Sequence, residues 1–145
     1  MPHCTPAYPG LPVSYPPYNC NTAVNTSGVT DFSYAWEYCT FSYMPCVDSS
    51  SVTNFYSAWY DCYNMTSFPQ LNTGAGTDFG YTWSNTGLTS FPEIDTRAAT
   101  SFYCAWYECY YLVDFPALDA SSVTDFSYAW AYNYLLTSFP LVNTS

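Results

Sequence analysis

Lysine is absent from this chain, arginine occurs once (Arg97) and histidine once (His3), while eleven acidic residues leave a formal charge of −10 over 145 residues. A polyanion would meet almost no cationic group, which excludes nucleic acid and anionic membrane surfaces as partners. Catalysis lacks material for the same reason. The one imidazole stands in a proline-rich segment, and no Gly-x-Ser-x-Gly, phosphate-loop, dinucleotide or haem-attachment motif is present. We therefore expect no enzyme and no cofactor. No apolar run approaches the ~20 residues of a membrane helix, so no membrane insertion is expected. The opening MPHCTPAYPG has neither a basic nor an apolar leader region, so a secreted chain would start here already processed or leave by another route.

What the chain does have is aromatic, and it is periodic. Phe32, Phe55, Phe79, Phe102 and Phe126 recur at steps of 23, 24, 23 and 24 residues, each followed four residues later by Trp36, Trp59, Trp83, Trp106 or Trp130. These are all five tryptophans, so the aromatic-rich composition is one repeat unit counted five times. Pro45, Pro69, Pro92, Pro116 and Pro140 share a second repeat position. The first four each lie ten residues before the next repeat phenylalanine, so the one-residue variation in period falls between tryptophan and proline. Such a period predicts coils stacked in a line, not a chain folded round one centre. Residues 23–145 are expected to form this repeat domain. Residues 1–22, which hold the other six prolines with Tyr8, Tyr15 and Tyr18, are expected to form an extended arm.

Within a coil, Phe32, Ala35, Trp36 and Cys39 have the spacing of one face of a short helix, and the pattern returns in coils two and four. Thr30, Thr53, Thr77, Thr100 and Thr124, two residues before each phenylalanine, suit helix N-caps. The apolar residues of Met65-Thr-Ser-Phe68-Pro-Gln-Leu71, and of its counterparts Leu88–Ile94 and Leu136–Val142, suit an inward-pointing strand bent at proline.

The run Ala58-Trp-Tyr-Asp-Cys62-Tyr-Asn-Met65-Thr-Ser-Phe68-Pro69 resembles the BspA-type leucine-rich repeat of bacterial surface proteins, Ala-Phe-x-x-Cys-x-x-Leu-x-x-Ile. Val123-Thr-Asp-Phe-Ser-Tyr-Ala-Trp130 is similar to the related repeat of bacterial surface lipoproteins. The resemblance covers about residues 23 to 145, with tryptophan replacing phenylalanine and a proline after the strand phenylalanine. With the local patterns, it implies an α/β leucine-rich-repeat-like solenoid of about five coils of 23–24 residues. Short parallel strands would line one side and short helices the other. It also implies that Cys39, Cys62, Thr86, Cys109 and Asn133, which share one repeat position, form a buried ladder bonded to turn backbone.

Cys4, Cys20, Cys46 and Cys104 fall outside that ladder and are candidate disulfide residues, within the arm or from arm to coil or neighbouring subunit, with the pairing open. Asn25, Asp48, Asn72, Asp95, Asp119 and Asn143 form a column whose side chains are expected to bond their own turns. A calcium ladder would find asparagine at half of those six positions, and His3 with Cys4 supplies too few ligands for zinc, so no metal is expected. Asn25, Asn64 and Asn143 match the N-glycosylation triplet. Tyr60, Tyr63, Tyr107, Tyr110, Tyr111, Tyr132 and Tyr134 cluster just beyond the tryptophans, suited to a subunit boundary or to sugar rings.

The last coil stops at Val142-Asn-Thr-Ser145 without a polar cap, and the same four letters, Val24-Asn-Thr-Ser27, lead into the first coil. A structural subunit is the function expected: copies stack head to tail into an extracellular filament or appendage on a cell or virion surface, with the arm latching a neighbour. The alternative is a binding module, an adhesin or phage-fibre repeat fragment that meets glycans or a host receptor.

Overall fold

In this computed structural model the described residues are 26–42, 44, 47–139 and 142–145. The expected arm lies outside them, with His3, Cys4 and Cys20, as do Asn25 and Cys46.

Residues one repeat apart lie against one another. Isolated parallel bridges join Asp31 to Asn54, Asn54 to Asp78, Asp78 to Ser101 and Ser101 to Asp125. From each of these bridges the Phe-to-Cys segment runs on as consecutive tight turns. In coil one, the N–H groups of Phe32, Tyr34, Trp36 and Tyr38 donate to the carbonyls of Asn54, Tyr56, Ala58 and Tyr60 in coil two. Between them, Ala35, Glu37 and Cys39 donate three residues back, to Phe32, Tyr34 and Trp36. The four inter-coil bonds recur at every junction down to coil five, at 2.8–3.1 Å. Two residues of each segment take positive φ, among them Tyr34 and Tyr38 at 59°.

The α/β solenoid with short helices is therefore not what forms. Among the described residues there is no helix, and the only strands are β1 (Leu118–Asp119) and β2 (Val142–Asn143), a parallel pair in register Leu118 to Val142 and Asp119 to Asn143. The reason is spacing. Packed helices need about 8–10 Å between axes, whereas successive indoles here lie 5.2–6.1 Å apart. A four-residue turn, repeated once, buries i, i+3, i+4 and i+7 as a helix does. Phe32, Ala35, Trp36 and Cys39 are accordingly all buried.

The expected strand is also absent at Met65–Leu71 and Leu88–Ile94, where proline removes a donor from each, and of Leu136–Val142 the described residues place only Val142 in a strand, β2. A single row of bonds remains there: Thr89 to Thr66 at 3.3 Å, Val113 to Thr89 at 3.1 Å and Thr137 to Val113 at 3.1 Å. The threonines expected as N-caps join coils instead, Thr77 Oγ1 donating to the Thr53 carbonyl at 3.1 Å and Thr100 Oγ1 to that of Thr77 at 3.0 Å. The capping bond comes from the next residue, as in Asp31 Oδ1 accepting from Ser33 N–H at 2.8 Å.

Three aromatic columns fill the interior, one of them the repeat phenylalanines Phe32, Phe55, Phe79, Phe102 and Phe126 with centroids 5.0–6.1 Å apart. The five indoles lie nearly parallel, 3–11° between neighbours. Phe68, Phe91 and Phe115 form the third column at 5.9 and 5.4 Å, crossing the indoles edge-on. Trp59–Phe68 (4.8 Å), Trp83–Phe91 (4.8 Å) and Trp106–Phe115 (4.7 Å) are T-shaped pairs. All five indole N–H groups are buried without a hydrogen-bond partner. T-shaped packing is the arrangement in which such an N–H can rest against a π face, a weaker substitute.

Candidate functional site

The outer side of the turn segments carries tyrosines in alternating register. Counted from the repeat phenylalanine, those of coils one, three and five stand two and six residues on: Tyr34, Tyr38, Tyr81, Tyr128 and Tyr132. Those of coils two and four stand one and five residues on: Tyr56, Tyr60, Tyr103 and Tyr107. Rings of adjacent coils thus meet edge to face, with centroids 5.2–5.9 Å apart and planes 66–90° apart. Two hollows open between them. One, of about 320 Å3, is lined by Tyr34, Glu37, Tyr56, Ser57, Tyr60 and Tyr81. The other, of about 460 Å3, is lined by Tyr60, Tyr81, Tyr103, Cys104, Tyr107 and Tyr128.

Tyr60 and Tyr81 line both hollows. The Tyr81 phenol bonds with Tyr103 and Cys104, which holds its proton and raises its pKa. Carboxylates border the face. Glu37 is pushed up by burial and then by the charge of Asp61. Asp61 is pushed up by burial, with Glu108 adding repulsion and the bond from Asn85 Nδ2 acting the other way. Among the described residues the one cation, Arg97, is engaged by Asp95 at 2.6 Å on the turn column.

The second feature is the edge of coil five. Phe126, Tyr128, Trp130 and Tyr132 occupy the positions whose N–H groups bond the following coil elsewhere, and here those groups find no backbone acceptor among the described residues. Tyr128, Tyr134, Leu135 and Phe139 are 50–73% exposed, while the coil-four equivalent of the last, Phe115, is 6% exposed. Coil one is different. Among the described residues, Phe32, Ala35, Trp36 and Cys39 are wholly buried there.

The other predicted positions fall as follows. Of the repeat core, Phe32, Trp36, Phe55, Trp59, Phe79, Trp83, Phe102 and Trp106 are buried, and Phe126 and Trp130 partly so. In the ladder, Cys62 Sγ donates to the Trp36 carbonyl at 3.0 Å, Cys109 Sγ to that of Trp83 at 3.1 Å and Asn133 Nδ2 to that of Trp106 at 3.1 Å. Thr86 Oγ1 reaches the Trp83 carbonyl of its own coil at 2.9 Å. Burial pushes the Cys109 thiol up to about 11 and Cys62 higher still, so neither supplies a thiolate near neutral pH. Two cysteines exchange the roles expected of them. Cys104 is a free, buried thiol, and Cys39 is disulfide-bonded to a partner outside the described residues. The turn column uses its own side chains: Asp48 Oδ1 accepts from Ser50 N–H at 2.9 Å and Asp119 Oδ1 from Ser121 N–H at 3.0 Å. Among the described residues no cluster of three or more His, Cys, Asp or Glu side chains could hold a metal ion. Asn64 and Asn143, both glycosylation matches, are exposed.

Of the tyrosines singled out from sequence, Tyr60 and Tyr107 lie in the hollows, while Tyr63, Tyr110, Tyr111, Tyr132 and Tyr134 are exposed. Tyr34, Tyr56, Tyr81, Tyr103 and Tyr128 were missed, although their steps of 22, 25, 22 and 25 residues carried the signal. Comparison with protein-family models, with curated proteins and with solved structures finds no match, so the likeness to BspA-type repeats rests on the motifs quoted above.

Proposed function

We propose that this chain is a structural subunit that polymerises head to tail, the edge of coil five receiving coil one of the next copy, in an extracellular filament or surface appendage. The polarity of the inter-coil bonds carries this reading. Along the turn segments every such bond runs from an N–H of one coil to a carbonyl of the next. A stack built this way has a donor edge at coil five, at Phe126, Tyr128, Trp130 and Tyr132. Its acceptor edge is at coil one, where the carbonyls of Asp31, Ser33, Ala35 and Glu37 occupy the accepting positions. Unlike edges favour a heterologous contact, which continues unless it closes into a ring. Along these segments two like edges would set donor against donor, while the threonine bonds beside them run the other way, as from Thr89 N–H back to the Thr66 carbonyl. A disulfide at Cys39 suits an oxidising compartment.

The test is sedimentation of the 145-residue chain over a concentration series. Mass that climbs without a closed size, and a Leu135→Glu/Phe139→Glu variant that stays monomeric with its tryptophan signal intact, are the expected results. A wild-type chain that remains monomeric at millimolar concentration overturns the proposal.

A further inference from the structure

The geometry points to a carbohydrate-binding site on the tyrosine face, taking a neutral, extended β-1,4-linked hexose chain. This goes beyond assembly and depends on a different surface. Three observations converge on it. The first is chemical: phenol rings line both hollows, with Tyr60 and Tyr81 shared between them, and Glu37 and Ser57 add polar groups to the first. Aromatic faces receive the C–H faces of pyranose rings, while phenol and carboxylate oxygens bond sugar hydroxyls. The second is electrostatic. The face is bordered by Glu37, Asp61 and Glu108, and the chain's only arginine is engaged elsewhere with Asp95, so an anionic glycan would meet repulsion without a counter-charge.

The third observation is the period. Because the tyrosine register alternates, equivalent rings recur every second coil and not every coil. At a backbone spacing of about 4.8 Å that period is ~9.6 Å. In an extended β-1,4-linked hexose chain each ring is flipped relative to the last, so like faces also recur every second unit, and that disaccharide has about the length of two coil steps. An α-1,4-linked chain curls and loses the match. From coil one to coil five the face spans four steps, ~19 Å, room for two disaccharide units. Affinity should therefore climb up to the tetrasaccharide and level off beyond it.

The fold itself supplies mild substitutions. Serine already stands at the Tyr81 position in coil two (Ser57) and at the Tyr60 position in coil three (Ser84), so Tyr60→Ser/Tyr81→Ser keeps residue types that the coils accept. Titration calorimetry would use cello- and chito-oligosaccharides of two to six units, with malto-oligosaccharides alongside, at protein concentrations where sedimentation shows monomer. We expect at least one β-1,4 series to bind with a plateau at four units, and the double variant to bind about tenfold more weakly, the scale of losing aromatic contacts. Tyr63→Ser, outside the hollows, should bind as wild type does. Which β-1,4 series binds identifies the substituent at C2. The proposal is overturned if neither series binds at millimolar ligand, if malto-oligosaccharides bind as well, or if a double variant with wild-type thermal unfolding binds undiminished. None of these outcomes bears on assembly, which is read by sedimentation.

Discussion

The indole of Trp36 lies on that of Trp59 with the ring planes 3° apart and the centroids separated by 5.4 Å. The arrangement is copied at each later junction, and burial at this position differs only at coil five, where Trp130 is partly buried while the other four indoles are wholly buried. Trp83 is wholly buried between Trp59 and Trp106, whereas Trp130 has a neighbour on one side. Trp83→Ala should cost about 3–5 kcal/mol, as for other large aromatic truncations. Trp130→Ala should cost roughly half as much, because less surface is buried and the gap opens to solvent. Urea denaturation followed by tryptophan fluorescence measures both, and equal losses would contradict the stack.

Ser57 offers a test of turn against helix. Its φ is 53°, in the left-handed region, and its N–H bonds the Gly80 carbonyl of the next coil at 2.8 Å. Glycine relieves the Cβ strain of that region, so Ser57→Gly should stabilise by up to about 1 kcal/mol. In a helix interior the same change would destabilise by about 0.5 kcal/mol. Ser57→Val, β-branched, should destabilise. The sign of the shift in denaturation midpoint at constant slope decides the question.

These two cases show what was legible in the sequence. Phe32, Ala35, Trp36 and Cys39 announced their burial by spacing alone, yet that spacing is shared by a helix and by repeated four-residue turns. Backbone sign was the missing information, because the positive-φ positions are filled by tyrosine, serine, cysteine and glutamate more often than by asparagine or aspartate. Pro69 and Pro92 mark the apolar stretches, but a single backbone bond, Thr89 N–H to the Thr66 carbonyl, joins them where a strand was expected. The tyrosine face was written in the sequence as alternating steps. It stays hidden while the repeat is read as identical coils, because its period is two coils. Cys104 shows the same limit, since being out of register with the ladder indicated neither a bond nor its place under Tyr81.

Gly87 stands in the connection of coil three, which is one residue shorter than that of coils two and four. A Cβ at this position would run into the Tyr63 carbonyl, a backbone atom fixed by its own coil. Gly87→Ala should therefore destabilise by about 2 kcal/mol, in the range for overpacking. Gly74 is the control, because a Cβ there meets only the Asp95 carboxylate, at 3.0 Å, which can turn aside. Gly74→Ala should be neutral, or stabilise by about 0.5 kcal/mol through the unfolded chain. Thermal unfolding of the pair reads the contrast.

Asp61 and Asp119 should respond to pH in opposite directions. The carboxyl of Asp61 is raised by burial, so the folded state holds its proton more tightly than the unfolded chain does. Its contribution to stability is present below the unfolded carboxylate pKa and is lost as pH rises through the folded value. Asparagine carries no charge, stands at the same place in coil three as Asn85, and tolerates the φ of 60° found at Asp61. Asp61→Asn should match wild type in acid and exceed it at neutral pH by about 0.5 kcal/mol, a partly exposed group being screened by solvent. Asp119 is lowered, first by the Ser121 hydroxyl and then by the Ser121 N–H. Its contribution is present above the unfolded pKa and is lost as pH falls through the folded value, so Asp119→Asn should lose stability at neutral pH and converge with wild type in acid. Denaturation midpoints from pH 3 to 7 measure both variants. Curves of the same sign would mean that the two carboxyls do not differ in the way their surroundings require.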